Sequence, residues 1–99
     1  MPQGPFQTVS LGSSNSSALN LTAATVVKST HGFVTRIAVN ATSSTAGAIY
    51  DTTTTGTTGA ANLVAVIPAT VGVYTVDFVF KNGIVVAPGS GQTVAVAYN

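Results

Sequence analysis

The feature that most constrains this chain is a stretch of alternating side chains that runs from Val73 to Val86. Alternation with a period of two places successive side chains on opposite faces of a β-strand, whereas a helix repeats about every 3.6 residues. The residues of one parity in the first half of the stretch are large and apolar: Tyr74, Val76, Phe78 and Phe80. The stretch therefore predicts a strand with one buried face.

The dipeptide Asn82-Gly83 divides this stretch and predicts a tight turn. Asn and Gly tolerate the positive φ values that a two-residue type I′ turn requires. A hairpin with this turn would place Phe80 opposite Val85 and Phe78 opposite Ala87. The two halves of the stretch are thus predicted to pair with each other in one sheet.

Similar alternation recurs along the chain and predicts about eight short strands. Turn residues separate them at intervals of about 8 to 14 residues, and helical periodicity is absent. A chain of 99 residues accommodates one domain. We predict an all-β, single-domain antiparallel β-sandwich of jelly-roll or Greek-key type, with an open barrel as the alternative. The predicted strands are 6–11, 19–28, 33–40, 46–51, 62–67, 73–80, 84–87 and 93–98.

Proline, glycine and hydroxyl residues mark the segments between these strands. Residues 1–5 contain two prolines and a glycine and predict an extended N-terminal arm, which leaves residues 6–99 for the sandwich domain. The composition of 12–17 predicts a flexible loop. The threonine-rich tract 52–59 is compatible with an edge strand, but its two glycines favour an exposed loop. The near-continuous apolar run 62–67 predicts a strand that is covered on both faces.

The scarcity of charge is the strongest compositional signal. Only 5% of the residues are charged, against about 25% in an average domain, and the net charge is +1. Such a surface provides little repulsion between copies of the chain. We therefore expect other protein to cover much of the surface. The alternative is a soluble monomer whose many Ser and Thr hydroxyls hydrate the outer faces.

Several classes of partner and compartment are disfavoured by the same composition. Lys28, Arg36 and Lys81 are too few and too scattered to follow a phosphate backbone, so nucleic acid is not an expected partner. The longest apolar run ends at Pro68 and is far shorter than a membrane span, so no membrane association is expected. The N-terminus lacks the pattern of a signal peptide, and we expect synthesis in the cytoplasm without secretion. Cysteine is absent, which excludes disulfides.

The residues that carry chemistry are few and do not form a motif. His31 is the only imidazole, and it would need Asp51 or Asp77 and a hydroxyl nucleophile beside it to resemble a catalytic triad. We expect His31 to be a turn residue, and Asp77 to have Lys28, Arg36 or Lys81 as an ion-pair partner. One His, two separated Asp and no Cys or Glu provide no metal-ligand cluster. The sequence predicts no enzyme, no catalytic or metal-binding residues and no cofactor.

Recognition through a surface is the remaining class of function, and five segments resemble a known group of proteins. They contain the turn His31-Gly32 and the strand after it, an Ile-Tyr-Asp strand and a Phe-x-x-Gly-Ile segment. The segments are 26–40, 46–52, 64–69, 80–86 and 89–98. In their order they resemble the small β-sandwich virion proteins of tailed bacteriophages. The resemblance covers about residues 25–99, and its motifs are structural ones.

This resemblance implies a structural virion protein, most plausibly a capsid decoration (cement) protein. Such a protein would bind the outer surface of the phage head and stabilise contacts between major capsid subunits. It implies the major capsid protein as partner and a homo-oligomer, a trimer or a dimer. The arm 1–5 and the loop 52–59 are candidate contacts. A tail, neck or fibre component is the alternative.

A carbohydrate-binding module is a further alternative from a different class. It would require aromatic side chains exposed on one sheet face, where sugar rings could stack. The chain has no Trp, and Tyr50, Tyr74 and Tyr98 are most simply core or interface residues. This alternative is therefore less favoured than a virion component.

Overall fold

Alternating apolar side chains produce strands throughout the part of the chain that the structure describes. A computed structural model describes residues 16–99. The predicted arm 1–5 and the predicted strand 6–11 lie outside these residues. The described residues form eight strands and one turn of 3-10 helix, Thr55–Thr57. The strands are β1 Ser16–Leu21, β2 Thr25–Lys28, β3 Gly32–Ala41, β4 Gly47–Tyr50, β5 Leu63–Ile67, β6 Gly72–Phe80, β7 Ile84–Ala87 and β8 Thr93–Tyr98.

The strands form two antiparallel sheets of four. Sheet I has the order β1-β8-β3-β6, and sheet II has the order β2-β7-β4-β5. The first strand thus pairs with the last, the second with the seventh, the third with the sixth and the fourth with the fifth. This nested pairing is that of a jelly roll, whose double sheet is found in viral capsid and lectin domains. The predicted β-sandwich is confirmed.

The inner faces of the two sheets enclose one apolar core. Phe80 is its largest side chain and is fully buried. Burial of a single Val, Ile or Phe side chain stabilises the folded state by about 1.5 to 3 kcal/mol, so packing supplies the main favourable term. The fully or nearly fully buried members of the core are Val34, Ile37, Val39, Ile49, Ile67, Phe80, Ile84, Val86, Val94 and Val96.

The predicted hairpin between β6 and β7 is wrong. The two strands lie in different sheets, since β6 pairs with β3 and β7 lies between β2 and β4. Phe80 is opposite Gly32, and Phe78 is opposite Val34. Asn82 and Gly83 have no positive φ, so the turn is not of type I′. The segment 81–83 instead carries the chain from sheet I to sheet II.

Close backbone packing explains the glycine in this connection. A Cβ atom on Gly83 would lie 2.5 Å from the carbonyl oxygen of Thr52 and 2.8 Å from that of Lys28. Side-chain atoms are not found this close to carbonyl oxygens, so only glycine fits. Gly83 is therefore required by close backbone packing and not by the positive φ of a hairpin turn.

The predicted strand 19–28 is also wrong, because it spans two strands in different sheets. Strand β1 ends at Leu21 in sheet I, and β2 begins at Thr25 in sheet II. Asn20 adopts the left-handed conformation, with φ at 57°, just before the chain changes sheets. Ser16 and Ser17 belong to β1, so the predicted loop 12–17 is incorrect at its end. The alternating pattern continues through the crossover, so the sequence does not show where one strand ends and the next begins.

Strand β5 is an edge strand, which contradicts the expectation that both of its faces are covered. Leu63 and Val66 are exposed, and among the described strands β5 pairs with β4 alone. The threonine tract before it forms no strand, which confirms the interpretation of 52–59 as a loop. An apolar run thus indicated a strand correctly but not its place in the sheet.

Candidate interaction surface

His31 lies in the turn between β2 and β3, as predicted, and is exposed. A shallow depression surrounds it. Among the residues that the structure describes, no carboxylate side chain and no hydroxyl lines this depression, so these residues do not assemble a triad there. The residues that line it are Lys28, His31, Gly32, Phe33, Val79 and Asn99.

Asp51 has a structural role that the sequence analysis missed. Its carboxylate accepts hydrogen bonds from three successive backbone N–H groups in the connection between the sheets. The Lys81 N–H donates to Oδ2 at 2.9 Å, and the Asn82 N–H donates to Oδ1 at 2.8 Å. The Gly83 N–H also donates to Oδ1, at 3.3 Å. Asp51 thereby fixes the crossover from β6 to β7 from the end of a different strand.

These donors also set the ionisation of Asp51. Partial burial acts to raise the pKa of this carboxyl, but the three backbone N–H donors and the nearby positive charge of Lys81 act against it. The net effect lowers the pKa of Asp51 below its ordinary value. The carboxylate is therefore charged in the folded protein at neutral pH and serves the turn rather than a reaction.

Asp77 occupies a β-bulge in β6. Arg36 is opposite Thr75 and Val34 is opposite Phe78, so two residues of β6 face a single intervening residue of β3. Asp77 has a φ of 46°, a left-handed conformation that Asp adopts more readily than most residues. No ion pair involves Asp77 within residues 16–99, so the expected partner among Lys28, Arg36 and Lys81 is wrong.

The outer face of sheet I carries a shallow apolar groove. Small side chains of β3 and β8 form its floor, because Ala38 is opposite Ala95 in the sheet. Leu19 and Val73, which are 70% and 69% exposed, stand at its sides on the two edge strands. Within residues 16–99, Arg36 is the one charged residue that lines it. The groove is lined by Ser17, Leu19, Arg36, Ala38, Val73, Ala95, Val96 and Ala97.

A second exposed apolar region follows the edge of the sandwich where β5 and β6 lie. Of the large apolar side chains that are exposed in the described part of the chain, most belong to these two strands or to the link between them. Exposed apolar side chains that gather on neighbouring elements are typical of interaction sites in soluble proteins. The members are Leu63, Val66, Val71, Val73, Phe78 and Val79.

The sequence analysis did not identify either region. It proposed contacts through 1–5, which lie outside the described residues, and through the loop 52–59. Alternation assigns side chains to two faces of a strand, but it does not tell which face is outside. One signal of an apolar outer face was available in the sequence. Val73 and Val79 are apolar although they alternate with Tyr74 and belong to the opposite face of the strand.

The described residues were also searched for other kinds of site. No group of three or more His, Cys, Asp or Glu residues that could hold a metal ion occurs among residues 16–99. No helix in this part of the chain is long and apolar enough to cross a membrane. No family model, curated protein or solved structure matches the chain.

Proposed function

We propose that this chain is a structural virion protein that decorates the outside of a phage head and stabilises contacts between major capsid subunits. The observation that carries the proposal is the apolar groove on the outer face of sheet I. An outer sheet face is normally polar in a soluble sandwich, because alternate residues point to water. Here all four strands of sheet I contribute alanine, valine or leucine to the groove, and Ser17 and Arg36 are its polar members.

The groove has the chemistry of a protein-binding surface. Its alanine floor lets another backbone or side chain approach closely. Leu19 and Val73 add apolar area that is exposed to water in the unbound state and would be buried on binding. Stable attachment needs about 1,000 Å² of buried surface with an apolar centre. A decoration protein would gain further stability from the many copies that bind one shell.

The remaining features agree with a structural role. The jelly-roll fold hosts many binding and assembly proteins, although fold alone does not define function. His31 and Asp51 lie in separate environments, one in an exposed turn and one bonded to backbone N–H groups. We propose no catalysis, no cofactor, and no nucleic acid or membrane partner.

The decisive experiment is reconstruction of particles that contain this protein, together with its copy number relative to the major capsid protein. Decoration predicts hundreds of copies on the outer surface of the head. Location at the neck, tail or fibre, in a few dozen copies, would replace this proposal with the alternative. Binding to glycans without binding to particles would favour a carbohydrate-binding module.

A pair of substitutions tests the groove itself. Val73→Glu places a charge at the side of the groove, and Val66→Glu places the same charge at an exposed valine on β5. We expect Val73→Glu to abolish binding to undecorated particles and Val66→Glu to retain it. Particles with bound protein should also withstand higher temperature than bare ones, because a ligand of the assembled shell stabilises it by mass action. Equal binding of both variants would exclude the groove.

A further inference from the structure

We propose that strand β6 pairs with β6 of a second copy of this chain, antiparallel about a two-fold axis that passes through Val79. The two sheets I would then join edge to edge into one continuous sheet. This inference rests on the edge of the sandwich and not on the proposed virion function. The second copy is the occupant that the pattern of exposure and charge favours.

The edge of β6 is apolar at this point and has no neighbouring strand among residues 16–99. Strand β6 pairs with β3, and the backbone groups on its other side meet no strand of the described part. Phe78 is 49% exposed and Val79 is 60% exposed. Natural sheets usually protect such edges with charges or prolines within the strand, and the segment 78–80 has neither. The exposed side chains and the open backbone therefore favour a further strand.

The charges beside Val79 favour β6 of a second copy as the strand that pairs with this edge. Asp77 and Lys81 are both exposed, and each is two residues from Val79. In an antiparallel pair centred on Val79, Asp77 of one copy lies across from Lys81 of the other, at the two ends of the ladder. Asp77 is in the bulge and Lys81 follows the end of β6, so the two charges flank the paired residues 78–80 and attract each other across the ladder ends. The two-fold axis produces this pair twice, so the segment is complementary to itself.

The bulge at Asp77 is compatible with this register. Bulges usually prevent edge pairing because they bend the strand. Here the bulge lies at the end of the proposed ladder, which needs only residues 78–80 at its centre. Phe78 is then opposite Phe80, and Val79 is opposite its own copy. The net charge of +1 adds little repulsion between the two molecules.

Charge reversal and mixing test the pairing. Sedimentation velocity of the full chain at about 100 μM should show a dimer. Asp77→Lys makes both opposed positions positive, and Lys81→Glu makes both negative. Each variant alone should therefore raise the Kd of the dimer by roughly tenfold or more. An equimolar mixture of the two variants should form heterodimers again, because both cross pairs are then attractive.

Two controls separate pairing from folding. Circular dichroism must show the same β-spectrum for both variants, and Asp77→Asn should weaken the dimer less than Asp77→Lys. Recovery of the dimer on mixing cannot come from a misfolded variant. A monomeric wild-type chain, a trimer, or variants that self-associate as the wild type does would overturn the proposal, as would failure of folded variants to form heterodimers.

Discussion

Strands β6 and β7 follow each other in sequence and are both apolar, yet they occupy opposite environments. Strand β7 lies in the interior of sheet II, and Ile84, Val85 and Val86 are all 0% exposed. Strand β6 lies at the edge of sheet I, and Val73 and Val79 are largely exposed. The difference shows that position in the sheet, rather than apolar content, decides what a strand contributes. Strand β7 supplies buried side chains, whereas β6 supplies the buried Phe80 at its end and an exposed apolar surface along its length.

Truncation of one valine in each strand should give the largest contrast. Val86→Ala removes buried methyl groups and leaves a cavity, so we expect it to lower the free energy of unfolding by about 2.5 kcal/mol. Val73→Ala removes exposed atoms and should change it by less than about 0.5 kcal/mol. Urea unfolding of both variants measures the difference. Equal losses would mean that the edge of β6 is buried in solution.

The connection between the strands gives the next largest effect. Gly83→Ala forces a Cβ atom against the carbonyl oxygens of Thr52 and Lys28, and we expect a loss of about 2 kcal/mol. Gly56→Ala is the matched control, because nothing lies within 4 Å of a Cβ at that position. Thermal unfolding compares the two. A neutral Gly83→Ala would be evidence against the close approach of the backbone at this crossover.

Asp51 adds a pH-dependent contribution to the same connection. Its folded pKa is lowered, so the stabilisation is present above the unfolded pKa of about 3.9 and is lost as the pH falls through the folded pKa. We expect Asp51→Asn to cost about 1 to 1.5 kcal/mol at pH 7 and much less at low pH. In dilute, monomeric protein, Asp77→Asn changes an exposed residue without an ion pair in the described part, and it should leave the free energy of unfolding unchanged at both pH values. Urea unfolding at pH 7 and at low pH provides the measurement, and a pH-independent loss would contradict this role of the carboxylate.

The smallest effect is expected at the exposed end of β6. Val79→Thr keeps the shape and the strand preference of the side chain, and water can bond the new hydroxyl. We expect the free energy of unfolding of dilute protein to change by less than about 0.5 kcal/mol. Chemical denaturation at low micromolar concentration checks this. A larger loss would show that Val79 is covered within a single chain.

The sequence was sufficient for the fold class and for several strands. Strand β8 has the predicted bounds 93–98, and β3 extends the predicted strand 33–40 by one residue at each end. Alternation reports which residues share a face, and it did so correctly for β8. In β3 it was wrong at one end, because Val34 is buried in the core with Ile37 and Val39 although its parity is opposite. A register shift between Val34 and Arg36 causes the change. Alternation does not report which strand lies alongside. The crossovers after Leu21 and after Phe80 therefore could not be seen.

The candidate surface was harder to predict for a related reason. Its floor combines Ala38, Ala95 and Ala97 from strands that are more than fifty residues apart in the chain. The turn at Asn82-Gly83 depends on Asp51, which lies 30 residues before Lys81. Local preferences predicted a hairpin there, and a distant carboxylate overrides them. Non-local contacts of this kind leave no periodic signal.

The pairing of β1 with β8 has a consequence for how the chain is made. Ser16 is opposite Tyr98, so sheet I cannot close until residues 93–98 have left the ribosome. Nested, sequence-distant pairings of this kind slow folding to milliseconds or seconds, according to the general trend. Until β8 emerges, β1 has no described partner strand and β3 lacks one of its two, so their apolar residues stay open to chaperones. Sheet II does not contain β8 and does not have to wait for it. The emergence of β8 is therefore the step that joins β1 to the rest of sheet I.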